Sequence, residues 1–258
     1  MINYETVRKI IIDAGEIIQN VPAENSIYTK GIADFVTKTD IEVQKFIMKK
    51  LQKIFPNIGF LGEEEQINIK TGSSQWILDP IDGTTNYIYK YQHSAISLAL
   101  RNNNEILYGI VYNPFTKECF TAIKENGAYL NNQPIKVNNT YKMADALIAT
   151  GTSPYHKDMA SNLFIKIQEV FIKSLDIRRT GSAALDLAYV ACGRHDAYFE
   201  YKLKPWDYAA GCLLVKEAGG LAENITEENI SYENPSDIIA GCSSELLKQL
   251  HTILTNHI

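Results

Sequence analysis

Between His93 and Ile135 the chain reads HSAISLALRNNNEILYGIVYNPFTKECFTAIKENGAYLNNQPI. Short runs rich in β-branched and aromatic residues are broken there by Asn- and Gly-bearing turns. No run is long enough for a helix of its own, and each break lets the chain reverse over a few residues. The stretch predicts an antiparallel meander. Whatever else the chain does, it must supply elements that cover this sheet.

The flanking segments supply them. In MINYETVRKIIIDAGEIIQN, residues Val7, Ile10, Ile11, Ala14, Ile17 and Ile18 follow helical spacing. Asp13 and Glu16 interrupt any leader-like apolar core, so no secretory signal is expected. A second helix is expected after DFVTKTDIEV, with Thr39 and Glu42 in a capping-box pattern and Val43, Ile47, Leu51 and Ile54 on one face. Beyond Ala146, short apolar runs such as ALIAT and DIIAGC alternate with helical patterns at Asp158–Phe171, Ser182–Cys192, Trp206–Glu217 and Ser243–Asn256. That texture predicts a layered α/β second half. The expected division is 1–143 and 144–258, with the polar VNNTYKMADA as the connection.

Composition narrows the function classes. With 45% hydrophobic and 21% charged residues, the 258-residue chain matches an ordinary globular protein. A net charge of −5 advertises no basic surface for direct nucleic-acid binding. No apolar stretch approaches the ~20 residues of a membrane span. The four cysteines lack any C-x-x-C spacing, so reduced thiols and a cytoplasmic location are expected.

The chemistry is concentrated in acids that fall at the ends of elements. QWILDPIDGTTNY runs from an apolar strand into Asp79 and Asp82, three positions apart; Glu63 follows the short strand IGFLG; Asp34 and Asp40 sit in DFVTKTD; Asp207 opens a helix in KPWDYAAG. Each has a plainer reading as a turn former, a helix-terminus charge or a solvated acid. Together they suggest an all-oxygen site, because clustered carboxylates are costly to bury without cations. Such a site suits Mg²⁺ or Mn²⁺ better than zinc, and no His or Cys cluster competes. Gly83-Thr84-Thr85 then opens an expected helix at TTNYIYK, a place where backbone N–H groups can receive a phosphate. Carboxylates for a hard cation beside a phosphate cradle point to phosphoryl chemistry. The absence of G-x-x-x-x-G-K-[ST] argues against a nucleoside triphosphatase.

DFVTKTD, GEEE, WILDPIDGTTNY and RRTGSAALDLAYVACGRHDAYFEYKLKPWDYAAG resemble the inositol monophosphatase family of Mg²⁺-dependent, lithium-sensitive phosphatases, nearly end to end and most closely the bacterial branch. The resemblance implies a layered αβαβα sandwich with the active site between its two halves, and a homodimer. It implies a first metal held by Glu63, Asp79 and the carbonyl of Ile81, and a second by Asp79, Asp82 and Asp207. A third ion would be reached by Asp34 through water. Thr84, hydrogen-bonded to Asp40, would orient the attacking water, with Glu64 behind the metal ligands. Gly83, Thr84 and Thr85 would hold the phosphate, while Ala183 and Glu200 face the hydroxyls of a small phosphorylated polyol or sugar. Glu65 has no assigned role. Sister activities of the superfamily are the rivals: fructose-1,6-bisphosphatase, NADP phosphatase, histidinol phosphatase and 3′-phosphoadenosine nucleotidase. Bacterial relatives that attach to the transcription machinery offer a non-catalytic alternative, and a purely structural Ca²⁺ site a third.

Overall fold

The computed structural model describes residues 2–20, 27–31, 34–226 and 229–256, with the side chains at 27–35 and 66 outside that description. The expected meander is present as β6 (Ala95–Asn102), β7 (Glu105–Asn113), β8 (Glu118–Ile123), β9 (Ala128–Leu130) and β10 (Gln133–Ile135). It continues through β5 (Ser74–Asp82), β3 (Gly59–Gly62) and β4 (Asn68–Ile69) into one eight-stranded sheet, ordered β10-β9-β8-β7-β6-β5-β3-β4. Within this sheet, among the described residues, only the β3–β5 pairing is parallel. A second sheet has the order β12-β11-β13-β15-β14. Its strands are β11 (Leu147–Thr150), β12 (Asp176–Arg178), β13 (Ala197–Leu203), β14 (Leu221–Asn224) and β15 (Ser236–Gly241). A hairpin of β1 (Ile27–Gly31) and β2 (Asp34–Thr37) stands apart from both.

The helices form three layers around these sheets. α1 (Tyr4–Asn20) and α2 (Lys38–Ile54) cover one face of the large sheet, burying Val7, Ile11, Val43, Ile47 and Leu51 against Trp76, Leu98, Tyr108 and Ile110. Each such side chain contributes roughly 1.5–3 kcal/mol by leaving water. α5 (Ala183–Ala191) and α6 (Pro205–Glu217) lie between the sheets, and their Ala- and Leu-rich surfaces are buried nearly all round. α4 (Ala160–Lys173) and α7 (Ser244–Thr255) close the outer face of the small sheet. The order α1α2, large sheet, α5α6, small sheet, α4α7 is the five-layered αβαβα sandwich. With α3 (Thr84–Ile88), seven α-helices are found among the described residues. None of these helices is long and apolar enough to cross a membrane.

Three local expectations are corrected. The capping box of α2 uses Thr37 and Asp40 rather than Thr39 and Glu42. Thr37 is extended at the N-cap, whereas Thr39 already lies inside the helix and is buried. The TTNYIYK helix ends at Ile88, and α4 runs two residues further than periodicity suggested, to Lys173.

Candidate active site

Asp79 and Asp82 would point to opposite faces of a regular strand, because side chains alternate. They do not here, because β5 bulges between them. Asp79 pairs with Ser97 and Asp82 with Ala95, so three steps along β5 match two along β6. The bulge falls between Asp79 and Asp82, a stretch that contains Pro80, which has no N–H to give the ladder. The extra residue brings both carboxylates to one side. Asp79 Oδ1 accepts the Ile81 N–H at 2.9 Å, which fixes the turn.

Asp207 reaches the same point from the helix layer between the sheets. It lies in the first turn of α6, after Pro205, and accepts the Lys204 N–H at 2.7 Å. One oxygen each from Asp79, Asp82 and Asp207 lies within 4.8 Å of the others. Glu63, just beyond β3, hydrogen-bonds to Asp79 and lines the same cavity, whose volume is about 1160 Å³. Burial pushes the Asp79 carboxyl well above its ordinary range, and Glu63, Asp82 and Asp207 add to it. Burial and the Asp82 charge do the same to Asp207. Asp82 is pushed up to about 6 by burial, against the pull of donors from Ser182 Oγ and, at 2.9 Å, the Ala184 N–H. Two buried carboxylates and a half-buried one, with no basic partner among them, fit a hard divalent cation. Residues Asp79, Asp82 and Asp207 could hold one, with Glu63 at their edge.

A second group of residues stands behind the cluster. Asp40 is fully buried and accepts from the Thr37 N–H (2.9 Å) and hydroxyl. Burial raises its carboxyl to about 6, and Glu64 is a smaller contributor. The Thr84 hydroxyl lies 3.3 Å from Asp40 Oδ1 and 3.1 Å from the Ile81 carbonyl. Glu64 is buried, with its backbone clasped by both ends of the Gln44 amide at 2.7 and 3.0 Å. Unlike Glu63, it does not line the cavity. Exposed Glu65 pairs with Lys45 at 2.9 Å.

Gly83, Thr84, Thr85 and Ala183 all line the cavity. Gly83 has φ +86°, and a Cβ there would meet the Gly181 and His93 carbonyls at 3.1 Å, so both conformation and space call for glycine. Glu200, on β13, is 8% exposed and accepts from the Tyr198 hydroxyl (2.7 Å) and the Ser153 N–H (3.0 Å). Burial raises its carboxyl. Gly151 makes room for it: a Cβ there would sit 1.8 Å from the carboxylate. Arg179, Lys202 and Lys204 line the mouth, while Arg178 turns away to pair with Asp176. The Asp34 side chain lies outside the described residues.

Sequence reasoning missed Ser182, Tyr198 and Asp186. Ser182 caps α5 and donates to Asp82 100 positions away, and Tyr198 holds Glu200. Asp186 lines the cavity, accepts from the Thr180 hydroxyl at 2.8 Å, and is held well above its ordinary range by burial. Behind it, His195 is lowered to about 4 by burial, so its imidazole is neutral. The only sequence signal was one acid in the otherwise apolar run SAALDLAYVA.

Known proteins resemble this chain in sequence and in fold. The chain is 41% identical over 218 residues to the inositol-1-monophosphatase of Rhizobium meliloti, covering 84% of this chain and 80% of that one. It is 40% identical over 213 residues to the Nus factor SuhB of Salmonella typhimurium, covering 82% and 79%. The crystal structure of extragenic suppressor protein suhB from Bartonella henselae superposes with a TM-score of 0.91 at 35% identity, covering 99% of each chain. The model of the inositol monophosphatase family matches residues 3–258. The chain belongs to the inositol monophosphatase family.

Proposed function

We propose that the protein is a Mg²⁺-dependent phosphomonoesterase that hydrolyses inositol monophosphate or a similar polyol or sugar phosphate. The convergence of Asp79, Asp82 and Asp207 within 4.8 Å at the wall of a roomy cavity carries this reading. A bound divalent cation supplies charge neutralisation on the phosphate and makes water acidic enough to attack near neutral pH. In this reading Glu63, Asp79, the Ile81 carbonyl, Asp82 and Asp207 would hold the activating ions, and Asp34 would serve a further one. Mn²⁺ is a plausible substitute on donor chemistry.

The remaining residues orient the reactants. The Thr84 hydroxyl is no base at neutral pH. Its single hydrogen is engaged by Asp40 or the Ile81 carbonyl, which leaves its lone pairs to receive a hydrogen of the attacking water. Asp40 holds Thr84, and Glu64 stands behind the metal-holding residues. Gly83, Thr84 and Thr85 seat the phosphate. Glu200 has lone pairs left after its two donors, and these accept substrate hydroxyls beside Ala183.

The test is phosphate release from inositol 1-phosphate, fructose 1,6-bisphosphate, NADP, histidinol phosphate and 3′-phosphoadenosine 5′-phosphate. Preference for inositol 1-phosphate is expected; preference for another compound would name a sister activity instead. The relatives named Nus factor SuhB support a second reading, a role in the transcription machinery. Retention of RNA polymerase by the immobilised protein, undiminished in Asp82→Asn, would show that role to be separate from catalysis. A homodimer is also proposed. The exposed side chains of Phe164, Phe171, Ile172 and Leu175 on and just beyond α4 are an apolar surface suited to burial against a second copy.

A further inference from the structure

The acidic cluster occupies one end of β5 and β6. At their other end, a second cavity of about 420 Å³ opens against the segment 231–234. Its walls are mainly hydroxyl and amide groups, with three charges: Lys70, Arg101 and Glu233. Arg101 is only 6% exposed. Its Nη1 donates to the Tyr232 carbonyl at 3.0 Å, and its Nη2 to Gln75 Oε1 at 2.8 Å. Its buried Nε has no partner among the described residues. A guanidinium so deeply placed, with a donor unspent, is expensive unless an acceptor completes it.

Glu233 is the present occupant. Its carboxylate lies 3.1 Å from Arg101 Nη2 and 3.9 Å from Lys70 Nζ, yet its side chain is 57% exposed. An ion pair with one exposed partner is weakly held. With Glu233 turned out, two cations face a neutral polar wall of a size typical for small-molecule sites. A guanidinium is best matched by a planar, two-oxygen acceptor.

We propose that this cavity is a second ligand site, taking a small carboxylate that replaces Glu233 between Arg101 and Lys70. The site is coupled to the acidic cluster. The Tyr208 hydroxyl has its one hydrogen within reach of the Ser231 and Asn234 carbonyls, and its ring lies 6.0 Å from that of Tyr232. Tyr208 directly follows Asp207 in α6. Moving Glu233 therefore shifts a segment fastened to the helix that presents a cluster carboxylate.

Succinate binding to the full chain, measured by calorimetry without substrate, tests the site independently of any turnover. Glu233→Gln is expected to tighten binding at least fivefold, by removing the competitor. Lys70→Ala, an exposed change that leaves folding intact, is expected to weaken it at least threefold, and Arg101→Lys to weaken it further with an unchanged circular dichroism spectrum. Equal affinity in all four proteins, or no binding to Glu233→Gln, would overturn the site. Saturating succinate is expected to change Mg²⁺ affinity at least twofold in the unsubstituted protein and not in Arg101→Lys; an identical Mg²⁺ affinity in both would overturn the coupling.

Discussion

Asp82 shows how a single residue can be held against its own electrostatic preference. Burial lifts its carboxyl from about 4 to about 6, while two donors from the start of α5 lock it in place. A shift of about two units corresponds to roughly 3 kcal/mol between the two protonation states. Because the folded value is raised, the metal-free fold binds protons more tightly than the unfolded chain does. Its stability is greatest below the ordinary carboxylate range and falls as pH rises through about 6. Asp79 and Asp207 are shifted the same way. On the proposed reading, bound Mg²⁺ would relieve this repulsion, so the rise in Tm on adding Mg²⁺ is expected to be small at pH 5 and several degrees larger at pH 7.5. Scanning fluorimetry checks this; equal shifts at both pH values would contradict it. At pH 7.5, Asp82→Asn is expected to raise the metal-free Tm and to abolish most of the Mg²⁺-induced rise. Glu200→Gln separates substrate contact from chemistry: kcat/KM for inositol 1-phosphate is expected to fall about tenfold or more, and that for p-nitrophenyl phosphate less than twofold.

At the scale of elements, the bulge in β5 and the cap of α2 do most of the placing. The apolar run ending in Asp-Pro-Ile-Asp revealed a strand running into acids. Pro80 lies in the bulged stretch, but the same-side placement of Asp79 and Asp82 comes from the pairing with β6. The α2 cap shows the limit of local pattern reading. TKTDIE offers overlapping capping frames, and Thr39–Glu42 fits the S/T-x-x-E rule better than Thr37–Asp40. The competition is settled by tertiary structure, because Asp40 must remain buried beside Thr84 and Glu64. Thr37 thus both caps the helix and holds Asp40. Thr37→Ala is expected to cost about 1 kcal/mol, read from the urea midpoint. It should also lower kcat, with Thr37→Ser restoring both; recovery of stability without kcat would separate the cap from the Thr84 contact.

Across the whole molecule, the sheets sandwich α5 and α6, and the candidate site lies where that shared layer meets the end of the large sheet. The layers were legible because helical and strand periodicities hold over long stretches. The contacts from Ser182 to Asp82 and from Tyr198 to Glu200 were not, since they join residues whose local patterns say only helix and strand. The outward face of α4 carries the expectation for assembly. Light scattering is expected to give the mass of a dimer, and Phe171→Glu with Ile172→Glu that of a folded monomer; a monomer at the start would contradict it. The central claim is that the Asp79–Asp82–Asp207 cluster holds the ion that drives phosphate-ester hydrolysis. Its most direct test is the initial rate of phosphate release from inositol 1-phosphate as Mg²⁺ is titrated, for the unsubstituted protein and for Asp82→Asn. The expected result is a rate that is negligible without Mg²⁺, rises saturably with it, and falls at least a thousandfold in the variant. A rate independent of Mg²⁺, or one that Asp82→Asn leaves intact, would contradict it.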